Sequence, residues 1–395
     1  MKKLQANVSY SQIHAAMWGM YAIIFAFAVN FLGAKGLGLS NTLCSVVLGT
    51  TAAASCLLQV VIGELVSRIR KLKLYMATAV VSVLILAGLG GMMTGSWILK
   101  LAGMCMVLAL LQLVPGMCNS IGMDAIAKGA PATYSVARGV GSLFYALSAT
   151  FVGVLIERIG ESAIPLLSGA LGVALIVGIF WFHLCAEKGL AEAEPSGKQE
   201  KKENNFLKKN PMFSLFLVGA TLLCVSHFLV CTFMMNIVSG VVSQEAVESV
   251  QGIATGISAF VELPIMFGFV FLAKKLKVNH MLKLAAVMFI AKAVGLWVAN
   301  GPTGIYLAQA TQIIGYGLYA ITSVTYAGQV MGKEEAVRAQ SYLAATISLG
   351  SVVAMSIGGV LLDAFGVPGM LTAATATAAM GALVILISAK TPKAE

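Results

Sequence analysis

Two charged residues stand where charge is least at home. Glu262 lies inside residues 256–275, GISAFVELPIMFGFVFLAKK, and Lys292 inside the next apolar run, AAVMFIAKAVGLWVAN. An ionised side chain at the centre of a hydrocarbon layer costs at least a few kcal/mol, so such residues are rare and mark paired or functional groups. A carboxylate and an ammonium at matched depth offer two chemistries: a fixed ion pair, or a protonatable carboxylate tuned by its neighbour. Burial disfavours a charged form and an opposite charge favours it. Where these nearly cancel, protonation can follow occupancy by a solute. Glu262 is twelve residues from Lys274, roughly 18 Å of helix, and Lys292 is nine from Lys283, roughly 14 Å. Both therefore fall near the middle of a layer about 30 Å thick.

Other polar side chains inside apolar runs are candidates for a solute cavity. Gln309, Gln312 and Tyr316 share one helix face at i, i+3 and i+7. Gln112, His227 and Tyr21 join them, with helix-to-helix hydrogen bonding as the alternative for each. Asn30 and Asn236 lie toward the same end of their runs and suggest a symmetric outer gate. Asp124 and Arg138 could latch the opposite end, and Arg68 belongs to a basic cluster, Arg68/Arg70/Lys71/Lys73, that would steady it. The seven cysteines are scattered singly with no metal-ligand or disulfide spacing, so no metal, cofactor or disulfide framework is expected.

The chain that must position these groups is 11% charged and 59% hydrophobic, against about a quarter charged for a soluble protein. Twelve apolar segments can be marked, at roughly 11–33, 41–66, 74–95, 97–122, 132–158, 162–185, 211–238, 248–273, 279–299, 302–330, 336–364 and 367–389. A polar stretch, residues 186–210, separates residues 1–185 from 211–395 and reads as a linker. The net charge of +10 does not point to nucleic acid. Basic residues such as Lys2, Lys3, the Arg68 cluster and Lys274/Lys275/Lys277 gather on one side, while Lys35, Lys100 and Arg158 face the other. By the positive-inside rule both termini are cytoplasmic.

The halves also resemble each other. Residues 153–160, GVLIERIG, match residues 359–366, GVLLDAFG, 206 positions on, and the same offset pairs Asn30 with Asn236 and Tyr21 with His227. The expected architecture is an all-α membrane protein of twelve transmembrane helices in two pseudo-symmetric six-helix bundles. Repeats of this kind place a solute site between two halves in secondary transporters.

That plan resembles the major facilitator superfamily. GELVSRIRKLK (63–73) is similar to its loop G-x-L-x-D-R-x-G-R-R in Gly63, Leu65 and Arg68, with Ser67 in place of Asp. VELPIMF (261–267), Met123-Asp124-Ala125 with Tyr134…Arg138…Gly141-Ser142, and Arg338…Gly350…Gly358-Gly359…Asp363…Gly366 resemble the branch of lactose permease, nucleoside–proton symporters and phenylpropionate permeases. The resemblance implies a monomeric transporter in the cell's inner or plasma membrane, moving a small polar solute with a proton by alternating access. Glu262 and Lys292 would be the coupling pair. A proton-antiport exporter and a sensor that has lost transport are the alternatives. No nucleophile motif, acidic metal cluster or phosphate loop suggests an enzyme.

Overall fold

The computed structural model describes residues 2–68, 73–187 and 206–390. Arg70, Lys71 and most of the linker lie outside the described residues, as do the side chains of Lys2, Lys3 and Arg68. In a hydrocarbon layer every backbone polar group needs an internal partner. The apolar runs accordingly form helices, and no strand occurs among the described residues. In chain order these are α1 (Lys2–Ala26), α2 (Ala28–Leu32), α3 (Asn41–Arg68), α4 (Leu74–Met92), α5 (Trp97–Leu111), α6 (Val114–Ala127), α7 (Tyr134–Ile159) and α8 (Ala163–Glu187). There follow α9 (Phe206–Lys209), α10 (Pro211–Thr232), α11 (Met234–Ser239), α12 (Val247–Phe260), α13 (Glu262–Lys275), α14 (Val278–Val298), α15 (Pro302–Ala310) and α16 (Tyr316–Ser388).

Among the described residues, eight stretches are long and apolar enough to cross a membrane. Two of them, Tyr134–Ala186 and Arg338–Ser388, run to 53 and 51 residues, enough for two crossings each at about 20 residues per crossing. The first turns at Gly160, whose φ of 72° suits only glycine without strain. The second belongs to α16, which is not one rod. Its Tyr326 hydroxyl donates to the Ser388 carbonyl, 3.3 Å away, although 62 residues separate them. Gly366, with φ 67°, gives one reversal. That single bend would leave arms of about 60 Å and 33 Å, too unequal to meet. A further bend must therefore precede it within the run.

Five expected segments are broken, and two breaks have a visible cause. Proline removes the N–H that would bond the carbonyl four residues back. Pro264 does this to Phe260, the last residue of α12, and Pro115 does it to Leu111, the last residue of α5. The α1/α2 and α10/α11 breaks have no proline. They fall at Phe27 (φ −109°, ψ 16°) and Phe233 (φ −102°, ψ 27°), in nearly the same conformation and 206 residues apart. The fifth break is a short 3-10 turn, Thr311–Ile313, between α15 and α16.

The chain divides into two compact units, Met1–Leu39 with Thr50–Gln199, and Ser40–Gly49 with Glu200–Glu395. In the first unit α1 packs against α7 and α8, and α4 against α5, α6 and α8. Apolar almost all round, α1 is correspondingly buried: Ile13, Met17, Met20 and Ile24 are each fully enclosed. A Cβ on Gly103 would strike the Gly88 carbonyl, so glycine on both sides lets α4 and α5 approach closely. Gly91 makes a similar approach to Leu99, whereas Gly90 faces open space.

In the second unit α10 and α14 pack against α16 around Phe216, Leu223, Leu282, Ala286, Phe289 and Tyr319. The sequence division placed Ser40–Gly49 in the first half, yet this stretch groups with the second unit. The Asp363 carboxylate is the reason. It accepts the Thr42 N–H at 2.8 Å, the Thr42 hydroxyl at 2.7 Å and the Asn41 amide at 2.8 Å. These occupy free donors in the first turn of α3 with a negative group, where the helix dipole favours one. Ser45 Oγ accepts the Gly359 N–H, and a Cβ on Gly359 would collide with the Asn41 carbonyl.

Candidate functional site

The two charges singled out in the sequence are joined in the second unit by a third side chain. The Gln312 amide donates through Nε2 to Glu262 Oε1 at 2.9 Å, and its Oε1 accepts from Lys292 Nζ at 2.5 Å. The chemistry fixes this polarity. An ammonium only donates, so it must hold the carbonyl end of the amide and turn the NH2 toward the carboxylate. Three local features set up the bridge. Pro264 ends α12 and starts α13 at Glu262. The 3-10 turn carries Gln312 into the space beside it. Gly317 lets the backbone close in, since a Cβ there would lie 3.1 Å from Glu262 Cγ. Lys292 and Gln312 are buried at 5% and 4% exposure, and charge-assisted bonds of this kind are the stronger ones.

His227 and Tyr316 stand beside the bridge, their rings stacked at 4.1 Å and 8°. Phe289 meets the same histidine edge-on at 6.2 Å. Together with Lys292, Gln312, Ser226 and Gly315 they line a cavity of about 10 Å³, measured at the centre of a water-sized sphere. That is room for about one water molecule. Cys231 lies among these groups, with Sγ 3.8 Å from Lys292 Nζ and 3.7 Å from His227 Nε2. Its position four residues after His227, on the same helix face, was the signal available in the sequence. Gln309 sits one turn before Gln312, buried at 2% exposure, and its amide reaches only the Met234 sulfur at 3.9 Å.

The remaining expectations divide. Asn236 donates to Asn41 Oδ1 at 3.0 Å, which ties it to the Asp363 cluster. Its repeat partner Asn30 is fully buried with neither amide atom hydrogen-bonded, so the two do not form matching contacts. In the first unit the expected Asp124–Arg138 link is absent. Asp124 pairs with Lys128 at 2.8 Å, one helical turn on, while Arg138 donates to Ser142 at 2.9 Å and lies over the Trp18 ring at 4.2 Å. Each partner is nearer in its own helix or ring stack, which draws the two charges apart. Trp18 escaped sequence reasoning, although Tyr10, His14, Trp18, Tyr21 and Phe25 recur every three or four residues on α1. Tyr21 stacks obliquely on Phe25 at 4.2 Å, and Gln112 is half-buried at the end of α5.

All seven cysteines are free thiols. Among the described residues no three His, Cys, Asp or Glu side chains gather as metal ligands. The arrangement is a relay of a half-buried carboxylate, a buried amide and a buried ammonium beside a small aromatic cavity, suited to exchanging a proton or holding a polar solute.

Comparison with curated protein sequences gives no match. Solved structures do match. The nucleoside transporter NupG superposes with a TM-score of 0.76 at 14% identity, covering 100% of both chains. The POT family transporter PepTSo gives 0.72 at 11%, covering 98% of this chain and 97% of that one. An inward-facing bacterial homolog of the human lysosomal transporter Spinster gives 0.64 at 14%, covering 98% and 95%. At these identities the likeness is one of fold. The family model described as MFS_1 like matches residues 36–371, most of the sequence, and on that match the chain belongs to the MFS_1 like family of membrane transporters.

Proposed function

We propose that this transporter takes up a small polar solute together with a proton, by alternating access, with Glu262 as the coupling carboxylate. The observation that carries the reading is the Lys292–Gln312–Glu262 bridge beside the His227–Tyr316 cavity. A proton arriving on Glu262 removes the negative end of the bridge and weakens its hold on the Gln312 amide. That amide, with His227 and Tyr316, is then available to a solute carrying donors, acceptors and a flat face. Departure of the solute restores the bridge and expels the proton. Nucleosides and short peptides, named for the structural neighbours NupG and the POT proteins, are the first probes to try. The two bundles 1–185 and 211–395, the cytoplasmic termini, a plasma- or inner-membrane setting and a monomeric state complete the proposal, supported by the repeat and the lysine bias.

Proteoliposomes holding the full chain test it. After a thermal-shift screen of nucleosides and dipeptides finds a binder, an inward proton gradient should drive its accumulation. Glu262→Gln should bind and exchange that solute without accumulating it. Uphill uptake by the variant removes Glu262 from the coupling role. Accumulation under the opposite gradient, with expulsion under the inward one, makes the protein an exporter, and binding without flux makes it a sensor.

A further inference from the structure

One face of α12 carries a line of polar groups that leads to Glu262. Glu248, Gln251, Thr255, Ser258 and Glu262 follow one another at spacings of three and four residues. At 3.6 residues per turn they fall within an arc about 80° wide, over about 21 Å of rise. The opposite side of α12–α13 is aromatic and open: Phe260, Phe267 and Phe271 are 57%, 63% and 70% exposed, as lipid-facing residues would be. The polar face is turned inward instead. Glu248 is 3% exposed, Gln251 fully buried and Ser258 8% exposed. At the far end the line starts one turn from Ser243, Gln244 and Glu245, all exposed. On the neighbouring α15, which packs against α12, Gln309 Oε1 is buried with no hydrogen-bond partner.

We propose that this face is the proton path by which Glu262 communicates with water at the α12 end of the second unit, with Glu248 as the entry carboxylate. Successive groups at these spacings have Cβ atoms about 5–6 Å apart. One water or one hydroxyl would close each interval. A proton taken up by the Glu248 carboxylate passes along waters and hydroxyls held on this face and is delivered to the Glu262 carboxylate, while the Gln251 amide orients its neighbours and carries no proton. No bond other than O–H forms or breaks, and no electron moves. Ser258 Oγ currently donates to the Thr255 carbonyl at 2.8 Å, so its hydroxyl hydrogen must rotate as the proton passes. The inference rests on Glu262 being the coupling carboxylate.

The test is infrared spectroscopy of the full chain in lipid nanodiscs. The protonated carboxyl band of Glu262 is identified by its loss in Glu262→Gln, and its exchange rate is followed after transfer to D2O. Glu248→Gln, and separately the double change Thr255→Val with Ser258→Ala, should each slow that exchange by about a hundredfold or more, the low end of what a positioned proton donor contributes. Thermal unfolding confirms that each variant is folded, and the milder double variant stands if Glu248→Gln fails to fold. A Glu262 band whose exchange stays within about twofold of the parent's in the double variant overturns the path and leaves the coupling reading intact. Absence of any Glu262 band at every pH the protein survives overturns both.

Discussion

Replacing Gln312 by leucine removes both halves of the bridge while keeping most of the side-chain volume. Gln312 makes one bond to a carboxylate at 2.9 Å and one to an ammonium at 2.5 Å, and is 4% exposed. Hydrogen bonds to charged groups contribute about 1.5–3 kcal/mol each in soluble proteins. Bonds between membrane helices measure lower, averaging about 0.6 and reaching about 1.7 kcal/mol, because the unfolded chain in a membrane also finds partners. Two bonds at the upper membrane value give about 3 kcal/mol. The flexible Lys292 can recover part of this by swinging toward Glu262, so we expect Gln312→Leu to cost about 2 kcal/mol. Unfolding in mixed micelles by titration with SDS reads this directly. The sharper test is a double-mutant cycle with Glu262→Gln. If the amide acts through the carboxylate, the two changes should couple by about 1 kcal/mol. Additivity within about 0.5 kcal/mol, as for sites that do not touch, would refute the bridge.

Three further outcomes follow from particular contacts. Asp363→Ala strips the first turn of α3 of its acceptor; a lost helix cap costs about 1–2 kcal/mol. The loosened turn should expose the buried Cys44 and speed its maleimide labelling, read by mass spectrometry, and an unchanged rate counts against the clasp. Gly358→Ala places a methyl group against the Phe233 ring, at the break between α10 and α11. Overpacking of this kind costs about 1–3 kcal/mol and should lower the midpoint of thermal unfolding, whereas the open Gly90→Ala should leave it unchanged or raise it. Arg138→Lys keeps the charge but loses the planar stack on Trp18 and the reach to Ser142. A cost of about 1 kcal/mol is expected, with a change in tryptophan fluorescence that the parent charge alone would not explain.

How much of this was legible in the sequence depends on the kind of signal. The apolar runs fix where helices must be, because a hydrocarbon layer admits little else, and Pro264 marked the end of α12 through the carbonyl it strands on Phe260. The depth estimate set Glu262 and Lys292 at one level but not the amide between them. A periodic count puts Gln312 on the face of Gln309 and Tyr316. It cannot see that a 3-10 turn shifts Gln312 toward α13. Asp124 and Arg138 show the opposite failure: both lie toward one end of adjacent segments, yet Lys128 and Trp18 were nearer at hand. For Asp124 the i,i+4 partner on its own helix wins, since a local pair loses less side-chain freedom in meeting, whereas Arg138 is held by a ring on another helix that a pairing of opposite charges does not anticipate.

The 206-residue repeat separates what symmetry determines from what it leaves open. It carries backbone shape faithfully, to the point that Phe27 and Phe233 leave the helix with nearly equal dihedral angles. Side chains at equivalent positions have gone different ways. Tyr21 leans on Phe25 while its counterpart His227 stacks on Tyr316 above the cavity, and Asn30 is unpartnered while Asn236 holds Asn41. At the same offset from Glu262 stands Cys56, a half-buried thiol that carries no charge. The duplicated scaffold therefore repeats the bends, whereas among the described residues the charged relay of Glu262, Gln312 and Lys292 occurs in the second unit alone.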